Sequence, residues 1–168
     1  DLVSGRYRDL DPTNPNRAEA QALAAFMYVL FAEDYCNGVP TSRVLADGKF
    51  EYGPPQSGTQ LLNTALAKFD SAITVAVAAG TDGSEALNLA RLGKGRALLD
   101  LGQYAAAAAA VSTVPSDFVY LIEHSETTGR QNNAFFAFNY LEARFTISDN
   151  EGVNGLPFRS LADPRAPT

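Results

Sequence analysis

The stretch Leu98–Val111, LLDLGQYAAAAAAV, decides the fold. It has the spacing of a tetratricopeptide-type helical hairpin, carried by Leu98, Gly102, Tyr104, Ala107 and Val111. In such a hairpin we expect the glycine to make the turn and the tyrosine to fill the gap between the two helices. The alanine lets the helices approach, and the alanine run forms a close-packing face of high helix propensity.

Helix signals flank this stretch on its N-terminal side. Asn14 followed by Pro15 predicts the start of a first helix, which runs to Tyr35 and is apolar nearly all round, as in a helix packed on two sides. Ser57 and Gln60 have capping-box spacing and predict the start of a second helix. Gly80 is the candidate for its C-terminal end.

Two further helices complete the predicted scaffold. The third spans about Ser84–Leu101 and contains Gly93 and Gly95, which we expect where another backbone comes close. The fourth spans Gln103–Val114, and the four helices pair as one with two and three with four. The predicted fold class is therefore mainly α, with tetratricopeptide-like helical hairpins forming an α-superhelix over residues 14–115.

The rest of the chain predicts loops and short extended segments. Residues 1–13 are polar and turn-like, and residues 38–58 form a loop rich in glycine and proline. After Pro115 we expect a β- and loop-rich C-terminal part over 116–168. It contains β-formers at 117–123, a polar loop at 124–133, a strand at Ala143–Asp149 and turns at Asn154–Gly155 and Asp163–Pro164.

Composition narrows the class of protein. The 168 residues are 46% hydrophobic and 19% charged, which indicates a folded chain. A net charge of −6 argues against a nucleic-acid partner. The apolar run Ala22–Ala32 is too short to cross a bilayer. The lone Cys36 is either a buried free thiol or the partner of a cysteine outside this chain.

No motif supports catalysis, a metal or a cofactor. His124 is the single histidine and lies in a polar loop, so neither a catalytic triad nor a zinc site can be assembled around it. The segment LGKGR (92–96) lacks the Ser or Thr that follows the lysine of a phosphate loop. We therefore predict that the protein is not an enzyme and has no catalytic or metal-binding residues.

Several segments, in order, resemble one family. AEAQALAAFMYVLFAEDYCNGVP, LLNTALAKFDSAITVA, ARLGKGRALLDLGQYAAAAAAVSTVPSDFVY, DNEGVNGLPF and DPRAPT are similar to segments of SusD/RagB-like outer-membrane nutrient-binding lipoproteins. Together they cover nearly the whole chain, so that residues 1–168 resemble a single SusD-like segment. Members of that family are longer, and the resemblance implies that this sequence is a fragment of a longer chain.

The resemblance implies a function in capture without catalysis. Such proteins hold glycans or other oligomeric nutrients for a TonB-dependent β-barrel transporter, at the bacterial outer membrane on the cell surface or its periplasmic side. They contact the membrane through a lipid anchor that is not present in these residues. The alternatives are a helical-repeat interaction or structural subunit of a larger bacterial envelope complex with no small ligand, and, third, an enzyme.

Three residues of the loop between the first two helices are the candidates for ligand contact. Phe50 and Tyr52 lie among glycines and a proline, which present their rings for stacking on a sugar. Arg43 could add hydrogen bonds. The other interpretation is that the two rings pin the loop onto the helices. The chain has no tryptophan, the side chain that stacks most strongly on sugars.

Overall fold

Helices dominate the structure, as the sequence predicts. The computed structural model describes residues 2–35, 37–45, 47–141, 149–150, 155–157 and 160–161. Its helices are α1 (Leu2–Leu10), α2 (Pro15–Asp34), α3 (Gly58–Ala78), α4 (Ser84–Asp100), α5 (Tyr104–Val111) and α6 (Ala134–Phe136). Its strands are β1 (Asn37–Pro40), β2 (Arg43–Val44), β3 (Phe50–Glu51) and β4 (Pro55–Ser57).

The chain forms two compact units, Asp1–Tyr120 and Leu121–Thr168. The sequence placed the change from helical to extended character at 115/116, five residues earlier. The difference arises because Phe118 and Tyr120, although not helical, pack against the hydrophobic core of the first unit.

Local capping chemistry fixes the ends of the long helices where the sequence predicted them. The Asn14 side chain accepts a 3.0 Å hydrogen bond from the Asn16 N–H at the start of α2. Ser57 and Gln60 form a complete capping box at the start of α3. Gly80 follows α3 and Gly102 follows α4, both with positive φ (66° and 73°).

The helix α1 corrects the prediction that residues 1–13 are turn-like. It packs against α2, and Ser4 is buried at 7% exposure, whereas Val3 and Leu10 of the same helix are largely exposed. A weakly patterned segment becomes helical here because a neighbouring helix supports it.

Two nested antiparallel pairs replace the predicted loop at 38–58. β1 pairs with β4, with an irregularity between Asn37 and Val39, and β2 pairs with β3 inside them. Gly48 lies in the inner turn with φ of 82°. The Gly48 N–H donates to the Leu45 carbonyl oxygen at 2.9 Å, and the Leu45 N–H donates to the Lys49 carbonyl oxygen at 2.8 Å. Residues 43–51 therefore form a hairpin, which we call the inner hairpin.

The core of the first unit lies between α2, α3 and α4. Its largest fully buried side chains are Val29, Leu61 and Phe69. Phe69 meets Phe26 edge-on, with ring centroids 5.2 Å apart and an interplanar angle of 84°. The first long helix is thus packed on two sides, as its apolar circumference predicted.

The glycines of α4 make room for side chains rather than for a backbone. A Cβ on Gly93 would overlap the ring of Phe69 and come within 2.8 Å of Phe26 Cζ. A Cβ on Gly95 would come within 2.5 Å of Val111 Cγ1, and the nearest backbone atom, the Ala107 carbonyl oxygen, would be 3.5 Å away. Close approach was rightly expected at these positions, but aromatic rings and a valine methyl make it.

The α4–α5 hairpin keeps part of its predicted packing. Gly102 makes the turn, and Ala107 is buried at 8% exposure between the helices. The expectation that Tyr104 fills the gap is wrong: the ring is 70% exposed, because Val111 already occupies the space over Gly95. The alanine run is likewise not a close-packing face, since Ala107 is its one buried member.

The helix α3 is long and apolar enough to cross a bilayer by length and composition alone. Its apolar stripe, which includes Leu61, Leu62 and Phe69, is buried in the core, where α3 packs against α2 and α4. This is the pattern of a core helix.

The second unit contains a turn closed by a backbone hydrogen bond, followed by a short helical segment. The Ser125 N–H donates to the Gln131 carbonyl oxygen at 2.8 Å, and the Asn133 side chain caps α6. A π-helical turn, Ala137–Leu141, follows. Residues 117–123 form no strand, and the predicted strand Ala143–Asp149 falls almost entirely outside the described residues, as do Cys36 and the turn at Asp163–Pro164.

Candidate functional site

The inner hairpin brings Arg43 and Glu51 together. The two residues are direct register partners on β2 and β3, so their side chains share one face of the hairpin. The Arg43 Nε donates to Glu51 Oε2, and the two side chains remain 74% and 51% exposed. The hydrogen bond that Arg43 donates to Glu51, then the negative charge of Glu51, raises the pKa of Arg43.

A second ion pair lies at the turn of the same hairpin. Lys49 Nζ is 3.0 Å from Asp47 Oδ2, and the Lys49 N–H donates to Asp47 Oδ1 at 3.1 Å. The side-chain hydrogen bond from Lys49, with the backbone bond behind it, lowers the pKa of Asp47. Each charged residue of the inner hairpin is therefore matched by an opposite charge.

A pocket of about 330 Å³ lies between this hairpin and α2. We call it the hairpin pocket; its lining residues are Tyr28, Thr41, Ser42, Arg43, Glu51, Tyr52, Gly53 and Pro54. Hydroxyl groups, one carboxylate and one guanidinium thus share the pocket with two phenol rings. The arrangement offers hydrogen-bond donors and acceptors beside flat apolar surfaces.

The predicted contact residues divide between two environments. Arg43 and Tyr52 line the hairpin pocket, with the Tyr52 side chain 83% exposed. Phe50 is 63% exposed and is absent from the pocket lining; it is the register partner of Val44, not of Arg43. Phe50 therefore remains a prediction that the pocket does not support.

Backbone contact shapes the pocket wall. A Cβ on Gly53 would overlap the Thr41 carbonyl, so only glycine allows this approach of the two chain segments. Thr41 Oγ1 also accepts a 2.6 Å hydrogen bond from Gln56 Nε2. On the helical side, Lys68 Nζ lies 5.3 Å from the Tyr28 ring centroid, in cation–π geometry.

Sequence reasoning missed four of the lining side chains: Tyr28, Thr41, Ser42 and Glu51. The dipeptide Asp47–Gly48 is the signal that could have revealed them, because Asp-Gly between β-formers favours a tight hairpin. The dipeptide signals the hairpin but not its register. A two-residue turn at Asp47–Gly48 would set Glu51 opposite Val44, whereas the observed register is centred on Asp47 and sets Glu51 opposite Arg43.

A separate apolar groove of about 560 Å³ lies along the α4–α5 contact, with Phe26 of α2 in its wall. We call it the α4–α5 groove; most of its wall is apolar, from Phe26, Leu92, Leu99, Tyr104, Ala108 and Val111. Arg96 lies at the groove but is held by Glu33, through hydrogen bonds of 2.7 and 2.5 Å. The groove is therefore suited to contact with apolar side chains or other apolar groups.

Metal-ligating side chains do not cluster in the part of the chain that the structure describes. Among those residues no group of three or more His, Cys, Asp or Glu side chains could hold a metal ion. His124 is exposed in the second unit. Comparisons with protein-family models, with curated proteins and with solved structures found no match.

Proposed function

We propose that this chain belongs to a non-catalytic cell-surface protein that captures glycans or other oligomeric nutrients. The observation that carries the proposal is the hairpin pocket, which the Arg43–Glu51 ion pair and the exposed Tyr52 line together. An exposed phenol ring gives a sugar a stacking surface, and the ion pair beside it offers hydrogen bonds to hydroxyl groups.

The pocket also suits reversible capture. Its wall is fixed by the Gly53–Thr41 contact and by the hydrogen bond from Gln56 to Thr41. A wall that is formed before the ligand arrives lowers the entropy cost of binding. No group is needed to break a bond in the ligand, so the pocket can hold an oligomer and release it unchanged.

The helices supply the scaffold in this proposal. The α2–α3 and α4–α5 pairs stack in the manner of tetratricopeptide hairpins and form a surface for a TonB-dependent β-barrel transporter at the bacterial outer membrane. The resemblance to SusD/RagB-like lipoproteins supports this partner and this location.

Calorimetric titration with oligosaccharides of several linkages tests the proposal. We expect Tyr52→Ala to weaken binding about tenfold, since stacking on the ring is lost. Phe50→Ala is the matched control, because it removes an exposed ring of the same hairpin that does not line the pocket; its affinity should stay within about twofold. Circular dichroism confirms that both variants fold.

Two results would contradict the proposal. If the parent binds no oligosaccharide of the panel, glycan capture is wrong. If Tyr52→Ala folds and keeps the parent's affinity, the hairpin pocket is not the site.

The α4–α5 groove favours a second candidate function, that of an interaction subunit in a bacterial envelope complex with no small ligand. Its apolar wall would then cover a partner's side chains, and Leu99→Asp would abolish co-purification of that complex while leaving oligosaccharide titrations blank. Co-purification with a β-barrel transporter, together with a glycan response, supports the first candidate instead.

A further inference from the structure

The charge balance of the inner hairpin bears on which ligand its pocket accepts. Segment 41–54 carries two positive and two negative side chains. Arg43 is paired with Glu51, and Lys49 with Asp47. The described residues of this hairpin therefore present polar groups without a net charge.

Matched pairs recognise different chemistry from single charges. An uncompensated guanidinium attracts a carboxylate or sulfate, whereas one that already holds a carboxylate has its charge balanced. Both members of the Arg43–Glu51 pair are exposed and keep hydrogen-bonding capacity, with donors on one and acceptors on the other. Adjacent hydroxyl groups on a sugar ring can accept from the first and donate to the second.

We propose that the hairpin pocket takes a neutral saccharide, bound through ring stacking on Tyr52 and through adjacent hydroxyls at the Arg43–Glu51 pair, and discriminates against uronic acid and sulfated sugars. This inference rests on the proposed function and narrows its ligand class. The hydroxyls of Thr41 and Ser42 add neutral donors and acceptors to the same pocket. The chain's net charge of −6 adds a repulsion toward anionic polymers.

The first experiment compares sugars of equal length. Neutral hexasaccharides of glucose and xylose and hexasaccharides of galacturonic and mannuronic acid are titrated into the parent protein by calorimetry. We expect a neutral hexasaccharide to bind the parent at least about tenfold more tightly than either uronate. Because no net charge is matched, the affinity should change by less than about twofold between about 50 mM and 500 mM salt.

Variants that unbalance the pair give a sharper test. Glu51→Gln keeps a hydrogen-bond acceptor but leaves the Arg43 charge uncompensated, so it should gain affinity for the uronates by about twofold to fivefold over the parent's background. Arg43→Gln leaves the negative charge of Glu51 uncompensated and should gain no affinity for the uronates. Asp47→Asn, at the other ion pair of the hairpin and outside the pocket lining, is the matched control.

The outcomes separate this inference from the proposed function. If the parent prefers a uronate and Tyr52→Ala loses that binding, the neutral-ligand inference is wrong. The proposed glycan capture then still stands. Neutral binding that neither Tyr52→Ala nor the two pair variants alter also overturns it, because the ligand then lies elsewhere. Absence of binding to every hexasaccharide overturns both.

Discussion

The hydroxyl of Tyr120 donates a 2.5 Å hydrogen bond to Oε1 of Glu19, joining the last residue of the first unit to α2. Tyr120 also packs against the hydrophobic core. Both residues are half-buried, so the carboxylate would lose a strong partner in a partly dry site if the phenol were removed. This bond holds the segment after α5 onto the helical unit.

We expect Tyr120→Phe to lower the free energy of unfolding at neutral pH by about 1–2 kcal/mol. Burial, then the hydrogen bond and charge of Glu19, raise the pKa of Tyr120 in the folded state. A raised pKa gives stability that is complete below the unfolded phenol's pKa of about 10 and is lost as the pH rises beyond it. The difference between parent and variant should therefore shrink in urea titrations above about pH 10.

Glu19→Gln serves as the control for that prediction. The amide oxygen of the new glutamine can still accept the hydrogen bond from Tyr120. Glu19→Gln should therefore lower the free energy of unfolding by less than Tyr120→Phe does. A Tyr120→Phe variant as stable as the parent at neutral pH would show that the bond does not stabilise the unit.

Gly93 tests the packing of α4 against the core. The added methyl of Gly93→Ala would overlap the Phe69 ring and crowd Phe26. Overpacking costs about 1–3 kcal/mol, and helix propensity returns at most about 1 kcal/mol, so thermal unfolding should show a net loss. Gly5→Ala is the matched control, since a Cβ there meets nothing within 4 Å; this variant should be as stable as the parent or more so.

Ala107 tests the α4–α5 hairpin. It is buried where α5 crosses α4, and its carbonyl oxygen lies close to Gly95. Ala107→Leu should lower the free energy of unfolding by about 1–3 kcal/mol. Ala109→Leu changes an exposed alanine of the same run and should stay within about 0.5 kcal/mol of the parent. Equal melting midpoints for the two variants would mean that the helices do not meet at Ala107.

The helix boundaries were predictable because their chemistry is local. Asn14 with Pro15, and Ser57 with Gln60, satisfy backbone groups within three residues of themselves, and Gly80 and Gly102 supply the left-handed conformation that ends a helix. Each of these signals is complete in the sequence itself. The mainly helical fold class followed from them.

The ion pair of the hairpin, the exposure of Tyr104 and the formation of α1 depend on partners that are distant in sequence. Arg43 becomes part of a neutral pair only through the strand register that sets Glu51 opposite it. Tyr104 was expected in the hairpin gap, and it is exposed because Val111 fills that space. The helix α1 forms against α2, a support that residues 1–13 alone do not reveal.

Asp100 gives the last prediction, which concerns pH. Partial desolvation raises the pKa of the Asp100 carboxyl most, the hydrogen bond and negative charge of Glu33 raise it further, and Arg96 acts in the opposite direction. Ionised Asp100 is thus less favourable in the folded state than in the unfolded chain. The protonated Asp100 carboxyl contributes fully to the stability of the folded state below the unfolded pKa of about 4. That contribution is lost as the pH rises through the raised folded-state pKa.

Asp100→Asn removes this ionisation. The variant should be more stable than the parent at neutral pH, by less than about 1 kcal/mol because the side chain is exposed and solvent screens it. The gain should vanish in urea titrations at about pH 3, where the parent's carboxyl is protonated, and should shrink at about 1 M salt. A variant less stable than the parent at neutral pH would mean that attraction between Asp100 and Arg96 outweighs both the burial of the carboxylate and its repulsion by Glu33.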